Sequence, residues 1–92
     1  MILPWAEKAW DDYLYWQKVD KKFVKRINLL IKEIKREPFV GLGDPEPLRH
    51  HWSGYWSRRI DREHQVVYKV MDGAIVIVQC HYHYRRQTIQ AE

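Results

Sequence analysis

The sequence has little cysteine and no long apolar run, and each shortage excludes a class of protein. Cys80 is the one cysteine among 92 residues, which excludes a disulfide within the chain, and no spacing of cysteine and histidine typical of a zinc site occurs. No stretch approaches the roughly 18 apolar residues of a membrane span. The N-terminus lacks the charged and apolar regions of a signal peptide. We therefore expect a cytoplasmic protein without a cofactor, a metal or a membrane partner.

What the sequence does contain fits one small folded domain. The chain is 46% hydrophobic, which favours a folded state over disorder, and its length allows a single core. No internal repeat and no low-complexity segment interrupts it. Its formal net charge of +4 is compatible with a polyanionic partner without establishing one.

Helical periodicity dominates the first 37 residues. Residues 1–5 predict a short strand, which Pro4 places at a sheet edge or a strand end. Two helices follow, and Asp20 is a candidate N-cap for the second. The predicted apolar faces are Ala6, Ala9, Trp10, Tyr13 and Leu14 on the first helix, and Phe23, Ile27, Leu30, Ile31 and Ile34 on the second.

The second helix is also crowded with basic side chains. Two interpretations stand side by side: a solvated helix face, or a surface that contacts RNA phosphates. The basic residues concerned are Lys21, Lys22, Lys25, Arg26, Lys32, Lys35 and Arg36.

Residues 38–54 are rich in proline and glycine, which argues against a helix or a central strand. A connection this long in a small domain is usually either functional or disordered. The segment carries charged and aromatic residues that a disordered linker seldom combines, namely Glu46, Arg49, His50, His51 and Trp52. We expect it to be ordered and functional.

The last third of the chain predicts an antiparallel meander. Strands are expected over residues 56–61, 65–71 and 74–82, with a tight primed turn at Asp72-Gly73. Regular alternation on the last strand places Ala74, Val76, Val78, Cys80 and Tyr82 on one face and Ile75, Ile77, Gln79, His81 and His83 on the other. The second face changes from apolar to polar, which predicts a core at one end of it and a site at the other.

A loop carboxylate, strand arginines and a strand-end histidine are the groups that metal-free RNA cleavage needs. A base removes the 2′-hydroxyl proton, fixed positive charge stabilises the phosphorane, and an acid protonates the departing 5′-oxygen. Glu46 is the candidate base, Arg49 and Arg59 the candidate charges, and His83 the candidate acid. A metal site on His81 and His83 is disfavoured, because no third ligand is evident. These residue types are common, so composition alone does not establish the activity.

The order of several motifs resembles that of the YoeB toxins, a branch of the RelE superfamily of bacterial toxin–antitoxin systems. The resemblance extends from the start of the chain through Tyr84 and rests on many motifs in the right order. The matching segments are WDDYLYWQ at 10–17, GDPEPL at 43–48, SGYWSRRI at 53–60, EH at 63–64, VY at 67–68, and Cys80 followed by YHY at 82–84.

The resemblance implies an α+β fold of the microbial-ribonuclease, RelE type. Residues 1–84 would form a single domain, in which an N-terminal strand and two helices accompany an antiparallel sheet. It also implies a ribosome-dependent, metal-independent endoribonuclease of a type II toxin–antitoxin system that cleaves mRNA in the ribosomal A site and inhibits translation. The partners it implies are a YefM-type antitoxin, ribosomal RNA and mRNA, a second copy of the chain, and operator DNA bound together with the antitoxin.

The resemblance also assigns roles to individual residues. Glu46 matches the general base of the family, and His83 matches its general acid. Arg59 matches a phosphate-contacting arginine, and Tyr84 matches a tyrosine that positions the substrate. Arg49 stands where the family often has lysine, so that the charge is kept.

Gln65 departs from the pattern, because the family usually has an arginine there that stabilises the scissile phosphate. A glutamine donates a hydrogen bond but brings no charge, and losing one preorganised donor can cost roughly 10²–10³ in rate. Three alternatives stay open: a weaker enzyme, compensation by Arg62 or Arg49, or an attenuated or non-catalytic protein that acts mainly by binding the antitoxin, the ribosome or operator DNA. Residues 85–92 are a further departure: a C-terminal tail, expected to be flexible, that would either hinder substrate or, through Arg85 and Arg86, add phosphate contacts.

The other conspicuous side chains have mainly structural interpretations. Cys80 is expected to be buried and unreactive. Trp52 either stacks on an RNA base or packs against the protein. Structural or surface positions are expected for His50, His51 and His64, and core or dimer-interface positions for Trp5, Trp10, Trp16 and Trp56.

Overall fold

The computed structural model describes residues 4–82, with side chains described through Cys80. Two helices precede four strands that are antiparallel to their neighbours in the order β1-β2-β3-β4. The elements are α1 (Glu7–Val19), α2 (Lys21–Arg36), β1 (Glu46–Pro47), a short 3-10 turn (His50–Trp52), β2 (Tyr55–Arg59), β3 (His64–Met71) and β4 (Ala74–Tyr82). The α+β class with two helices and an antiparallel sheet is confirmed. Neither helix is long and apolar enough to cross a membrane in this part of the chain.

The chain enters the fold beside β4, at the sheet edge opposite β1. Residues 1–3 of the expected first strand lie outside the described residues. Trp5 forms a single parallel bridge with Ile77. The Ile77 amide donates to the carbonyl of Pro4 at 3.1 Å, and the Ala6 amide donates to the carbonyl of Ile77 at 2.8 Å. An edge position is what Pro4 predicts, because proline cannot donate to a second strand.

Helix α2 follows its predicted pattern closely. The Asp20 carboxylate accepts hydrogen bonds from the backbone amides of Lys22 and Phe23 at 3.1 and 3.2 Å, so the predicted N-cap is confirmed. The helix buries one apolar stripe against the sheet, and Phe23 packs against the same core. The buried residues of that stripe are Ile27, Leu30, Ile31 and Ile34.

The apolar face predicted for α1 is wrong in part. Ala9 is buried as expected, but Trp10 and Leu14 are 45% and 43% exposed, and the buried residues further along are Asp12 and Trp16. Polar contacts with β4 select this face. Trp16 Nε1 donates to the backbone carbonyl of residue 80 at 2.9 Å, and the Asp12 carboxylate accepts from the backbone amide of the same residue at 3.2 Å.

A β-bulge in β4 changes which of its side chains face the helices. Val67 pairs with Gln79, whereas the next residue on β3 pairs with Ile77, so Val78 falls between the two pairings. Ile75, Ile77 and Cys80 consequently belong to one core cluster with both helices. The predicted grouping of Cys80 with Val78, opposite Ile77, is therefore wrong. The core and the polar residues do not share one face of β4.

The turn between β3 and β4 forms where Asp72-Gly73 predicts it, since Met71 pairs with Ala74. Gly73 has a φ of 71°, while Asp72 is not among the described non-glycine residues with positive φ. Type I′ requires positive φ at both central residues and type II′ at the first. The position of the turn is confirmed, but the primed type is wrong.

Candidate active site

Glu46, Arg59 and Gln65 lie on the sheet face that points away from the helices. Register places them in two adjacent rows, because residues directly opposite each other in a sheet share a face. One row runs from Glu46 through Ser57 and Val67 to Gln79, and the next contains Arg59 paired with Gln65. Successive rows on the same face are about 7 Å apart. The structure thus brings the candidate base and the candidate phosphate ligand to one surface.

Glu46 also borders an open pocket with Arg49. The pocket has a volume of about 380 Å³ and is lined by Glu46, Pro47, Leu48 and Arg49. Both charged side chains are exposed. An exposed guanidinium can contact a phosphate and an exposed carboxylate can accept a proton, so the loop carries two of the candidate groups.

Arg59 is the charged member of its row. Its side chain is 61% exposed, and its Nε lies 4.0 Å from Oδ2 of Asp44, whose side chain is 83% exposed. Asp44 was not among the residues singled out from the sequence. The contact places a negative charge beside the arginine that matches the phosphate-contacting residue of the family.

Gln65 is a buried, uncharged residue that pairs with Arg59 across the sheet. The residue is only 4% exposed, and its Nε2 has no hydrogen-bond partner among the residues that the structure describes. Ser57 and Gln79 are also buried on this face. Buried polar atoms in folded proteins are nearly always hydrogen-bonded, so the Gln65 amide is an unsatisfied donor on the face that carries Arg59.

A buried arginine anchors the loop that leads to Glu46. Arg58 alternates with Arg59 on β2 and faces the core, where it is fully buried. Its guanidinium donates to the carbonyls of Glu37, Val40 and Leu42, the last at 2.9 Å. Its Nε donates to the hydroxyl of Tyr68 at 3.3 Å.

The Tyr68 hydroxyl completes this anchor. It donates to the carbonyl of Pro38 at 2.6 Å while accepting from Arg58. Burial raises the pKa of Tyr68 against the opposing effect of Arg58, so the hydroxyl keeps its proton and its donor role. The strict alternation of β2 points to a core position for Arg58, although sequence reasoning did not assign it a role.

The candidate acid and the tail belong to a part of the chain that the structure does not describe. His83, Tyr84 and residues 85–92 lie outside the described residues. The last described pairs of β3 and β4 join Gln65 to His81 and His64 to Tyr82. These two pairs lie at the end of the sheet that carries Arg59 and Gln65.

His64 and Cys80 have the structural positions expected of them. The Nδ1 of His64 lies 2.9 Å from Oδ1 of Asp61, and its ring meets Trp16 and Phe23 edge-on. Partial burial would raise the pKa of Asp61, but hydrogen bonds from the His64 ring and from two backbone amides outweigh it and lower the pKa. Burial, reinforced by the charge of an aspartate on α1, raises the pKa of the Cys80 thiol to about 12, so it is not a nucleophile at neutral pH.

The remaining aromatic and metal-ligating groups add little to this surface. Trp52 meets Tyr55 edge-on with ring centroids 5.3 Å apart, which is the packing alternative. Trp16 is a core residue, and Trp5 and Trp56 pack against the core. Trp10 is 45% exposed, so of its two expected positions the core one is wrong. No group of three metal-ligating side chains occurs within residues 4–82.

Most of the basic surface of α2 is open to solvent. Lys21, Lys22, Lys25 and Lys32 are exposed. Arg26 differs, because its guanidinium donates to the carbonyls of Ile60 at 3.3 Å and Arg59 at 3.4 Å. Arg26 thus ties α2 to the end of β2, and the lysines alone form a free basic surface.

Comparison with known proteins decides the family. The model of the YoeB-like toxins of bacterial type II toxin–antitoxin systems matches residues 5–84. The chain belongs to this family. Among YoeB-like proteins, Toxin YoeB of Escherichia coli K12 is 58% identical over 84 residues, which cover 91% of this chain and 100% of the relative.

Two solved structures from Staphylococcus aureus show the same YoeB-like fold. A YoeB dimer is 46% identical with a TM-score of 0.85, and the match covers 91% of this chain and 98% of that one. A heterotetrameric YoeB–YefM toxin–antitoxin complex contains a chain that is 46% identical, with a TM-score of 0.84 and the same coverage. The sequence resemblance and the α+β, RelE-type fold are thereby confirmed.

Proposed function

We propose that this YoeB-like toxin is a ribosome-dependent, metal-independent endoribonuclease that cuts mRNA in the ribosomal A site and so inhibits translation. The observation that carries the proposal is the common sheet face of Glu46 and Arg59, two exposed side chains in adjacent rows. Residues 1–84 form the toxin domain in this proposal. The reaction is attack of the 2′-hydroxyl on the adjacent phosphate.

Each step of the reaction has a candidate side chain. Glu46 removes the 2′-hydroxyl proton, and Arg59 stabilises the negative charge that grows on the phosphorane oxygens. Arg49, across the same pocket as Glu46, adds charge near the backbone of the substrate. His83 protonates the departing 5′-oxygen, for which an imidazole with a pKa near 6.5 is suited. Tyr84 positions the substrate.

The partners follow from the family and from the charged surface. The YoeB dimer and the YoeB–YefM complex of Staphylococcus aureus support a homodimer and a YefM-type antitoxin for this chain. With the antitoxin bound, the complex is proposed to bind operator DNA. The exposed lysines of α2 supply positive charge for ribosomal RNA phosphates. The cytoplasm is the compartment where these partners occur.

Gln65 supports a second candidate function. A neutral amide replaces the charged donor that the family usually carries, and it is buried beside Arg59. The alternative is an attenuated or non-catalytic toxin that acts mainly by binding the antitoxin, the ribosome or operator DNA. It differs from the first proposal in one observable, which is cleavage by the folded protein.

Mapping of mRNA ends in a reconstituted translation reaction tests the first proposal. We expect cuts at the A-site codon, and removal of the base in Glu46→Gln should slow them by about 10²–10⁴-fold. Glu7→Gln is the matched control, because it makes the same change at an exposed position on α1, and it should cut normally. No cuts by a folded wild-type chain that binds ribosomes would favour the second candidate.

A further inference from the structure

Arg59, a residue of the candidate site, forms an ion pair with Asp44. Arg59 Nε and Asp44 Oδ2 are 4.0 Å apart, and both side chains are largely exposed. A phosphate that binds Arg59 must therefore do so next to a carboxylate. Since Gln65 is neutral, Arg59 carries the positive charge of the Arg59–Gln65 row, and Asp44 opposes that charge.

The backbone holds Asp44 in this place. The amide of Arg59 donates to the carbonyl of Gly43 at 2.6 Å. A Cβ at Gly43 would lie 2.7 Å from Leu30 Cδ2 and 3.1 Å from Arg58 Cβ, so the chain passes through a gap that admits only glycine. An exposed ion pair at this distance contributes too little to fix a loop. The path of the main chain therefore places the Asp44 carboxylate next to Arg59, and the ion pair forms as a consequence.

Asp44 also has a backbone conformation that few residues adopt. Its φ is 56°, in the left-handed region, where aspartate and asparagine are the most tolerated residues after glycine. Pro45 follows and restricts the conformation further. An acidic residue at this point is therefore compatible with the loop, but asparagine would fit the backbone equally well without the charge.

We propose that Asp44 tunes the affinity of the site for RNA by partly neutralising Arg59 and repelling the incoming phosphate. The inference rests on the proposed function for its substrate class, a single-stranded RNA backbone. Asp44 acts through Arg59 and takes no part in the bond-making step. Its removal should therefore raise the apparent affinity for RNA, and it should not slow the bound complex, because Arg59 also stabilises the phosphorane in the proposed reaction.

The test compares Asp44→Asn with Asp72→Asn, which makes the same change at an exposed turn. Asp72 follows the far end of β3, about 20 Å along the strand from the residue paired with Arg59, beyond the roughly 10 Å screening length at 0.1 M salt. The probe is a single-stranded 2′-deoxy oligonucleotide, which lacks the attacking hydroxyl. Affinity is measured by fluorescence anisotropy across a series of KCl concentrations, with the full-length chain.

We expect Asp44→Asn to bind the oligonucleotide about two- to fivefold more tightly. The slope of log affinity against log salt should steepen by about 0.7, the value of one additional effective charge on a single strand. In ribosome-bound mRNA cleavage, the concentration for half-maximal rate should fall, and the maximal rate should not fall. Unchanged or weaker binding, an unchanged slope, or an equal gain in Asp72→Asn would overturn the proposal.

The two readouts separate this inference from the proposed function. If the wild-type chain does not cut mRNA and Asp44→Asn binds the oligonucleotide more tightly, the nuclease proposal is rejected and the role proposed for Asp44 is supported. If the wild-type chain cuts mRNA and Asp44→Asn binds the oligonucleotide no more tightly, the role proposed for Asp44 is rejected and the nuclease proposal is supported.

Discussion

Removal of one hydroxyl in Tyr68→Phe should destabilise the protein more than its small size suggests. The Tyr68 hydroxyl donates to the carbonyl of Pro38 at 2.6 Å and accepts from Arg58 Nε at 3.3 Å. It therefore joins β3, β2 and the loop that follows α2. Phenylalanine keeps the ring in the core but leaves both partners without this contact.

The magnitude follows from the cost of unsatisfied buried groups. A net hydrogen bond contributes about 1 kcal/mol, and a buried donor or acceptor left without its partner costs about 1–3 kcal/mol. Arg58 is fully buried, so water cannot readily replace the lost hydroxyl at its Nε. We expect Tyr68→Phe to lower the free energy of unfolding by about 2–4 kcal/mol.

Tyr13→Phe is the matched control for this measurement. Its hydroxyl donates to Asn28 Oδ1 at 2.7 Å at an exposed position, where water can replace the contact. The same substitution there should cost less than about 1 kcal/mol. Urea titration followed by circular dichroism gives the free energy of unfolding of each variant, and the two are compared at equal dependence on urea concentration. A loss in Tyr68→Phe no larger than that in Tyr13→Phe would refute the role assigned to the buried anchor.

Three further predictions concern the site, the buried thiol and the helix cap. Gln65→Arg should raise the cleavage rate by up to roughly 10²–10³-fold, because it restores a charged donor beside Arg59; an unchanged rate in the translation reaction would mean that this site does not use the position as its relatives do. Cys80→Ala should make the free energy of unfolding fall less steeply at alkaline pH than it does in the wild type. The folded-state pKa of Cys80 is raised from 9.0 to about 12, so its contribution is complete below pH 9 and is lost as the pH rises towards 12. The wild-type free energy of unfolding should fall more steeply above pH 9, by at most about 1.4 kcal/mol per pH unit, and parallel curves for the two proteins would contradict this. Asp20→Ala should lower the free energy of unfolding by about 1 kcal/mol in thermal or urea unfolding, since two backbone amides lose their acceptor, and a change near zero would show that water caps the helix equally well.

Local signals in the sequence predicted the elements that local chemistry decides. Asp20 begins α2, Asp72-Gly73 joins β3 to β4, and β4 has its predicted bounds, Ala74–Tyr82. Each depends on residues close together in the chain, such as a cap or a turn. The α+β class follows from the order of these elements.

Long-range pairing decided what local patterns left open. On α1 two stripes compete, and Asp12 and Trp16 are buried because they reach the backbone of β4. The bulge at Val78 depends on how β3 and β4 pair, and no residue in β4 predicts it by itself. Alternation beyond the bulge was therefore assigned to the wrong face.

The residues of the candidate site also fall into two groups: those identified from the sequence and those whose role depends on long-range contacts. Glu46 and Arg59 were identified from their chemistry and from the family, and the register of β1 and β2 brings them to one face. Asp44 was not identified, because its contact with Arg59 depends on the path of the loop past Gly43. Arg58 was not identified either, because its partners are loop carbonyls that no sequence pattern reveals.

The chemical form of the cut ends tests the central claim most directly. Attack by the 2′-hydroxyl leaves a 2′,3′-cyclic phosphate on the upstream fragment and a 5′-hydroxyl on the downstream one. Mass spectrometry of fragments released from a translating ribosome should show these ends for the wild type and their near absence for Glu46→Gln. Fragments with a 3′-hydroxyl and a 5′-phosphate would contradict a reaction that begins with the substrate's own hydroxyl and Glu46 as its base.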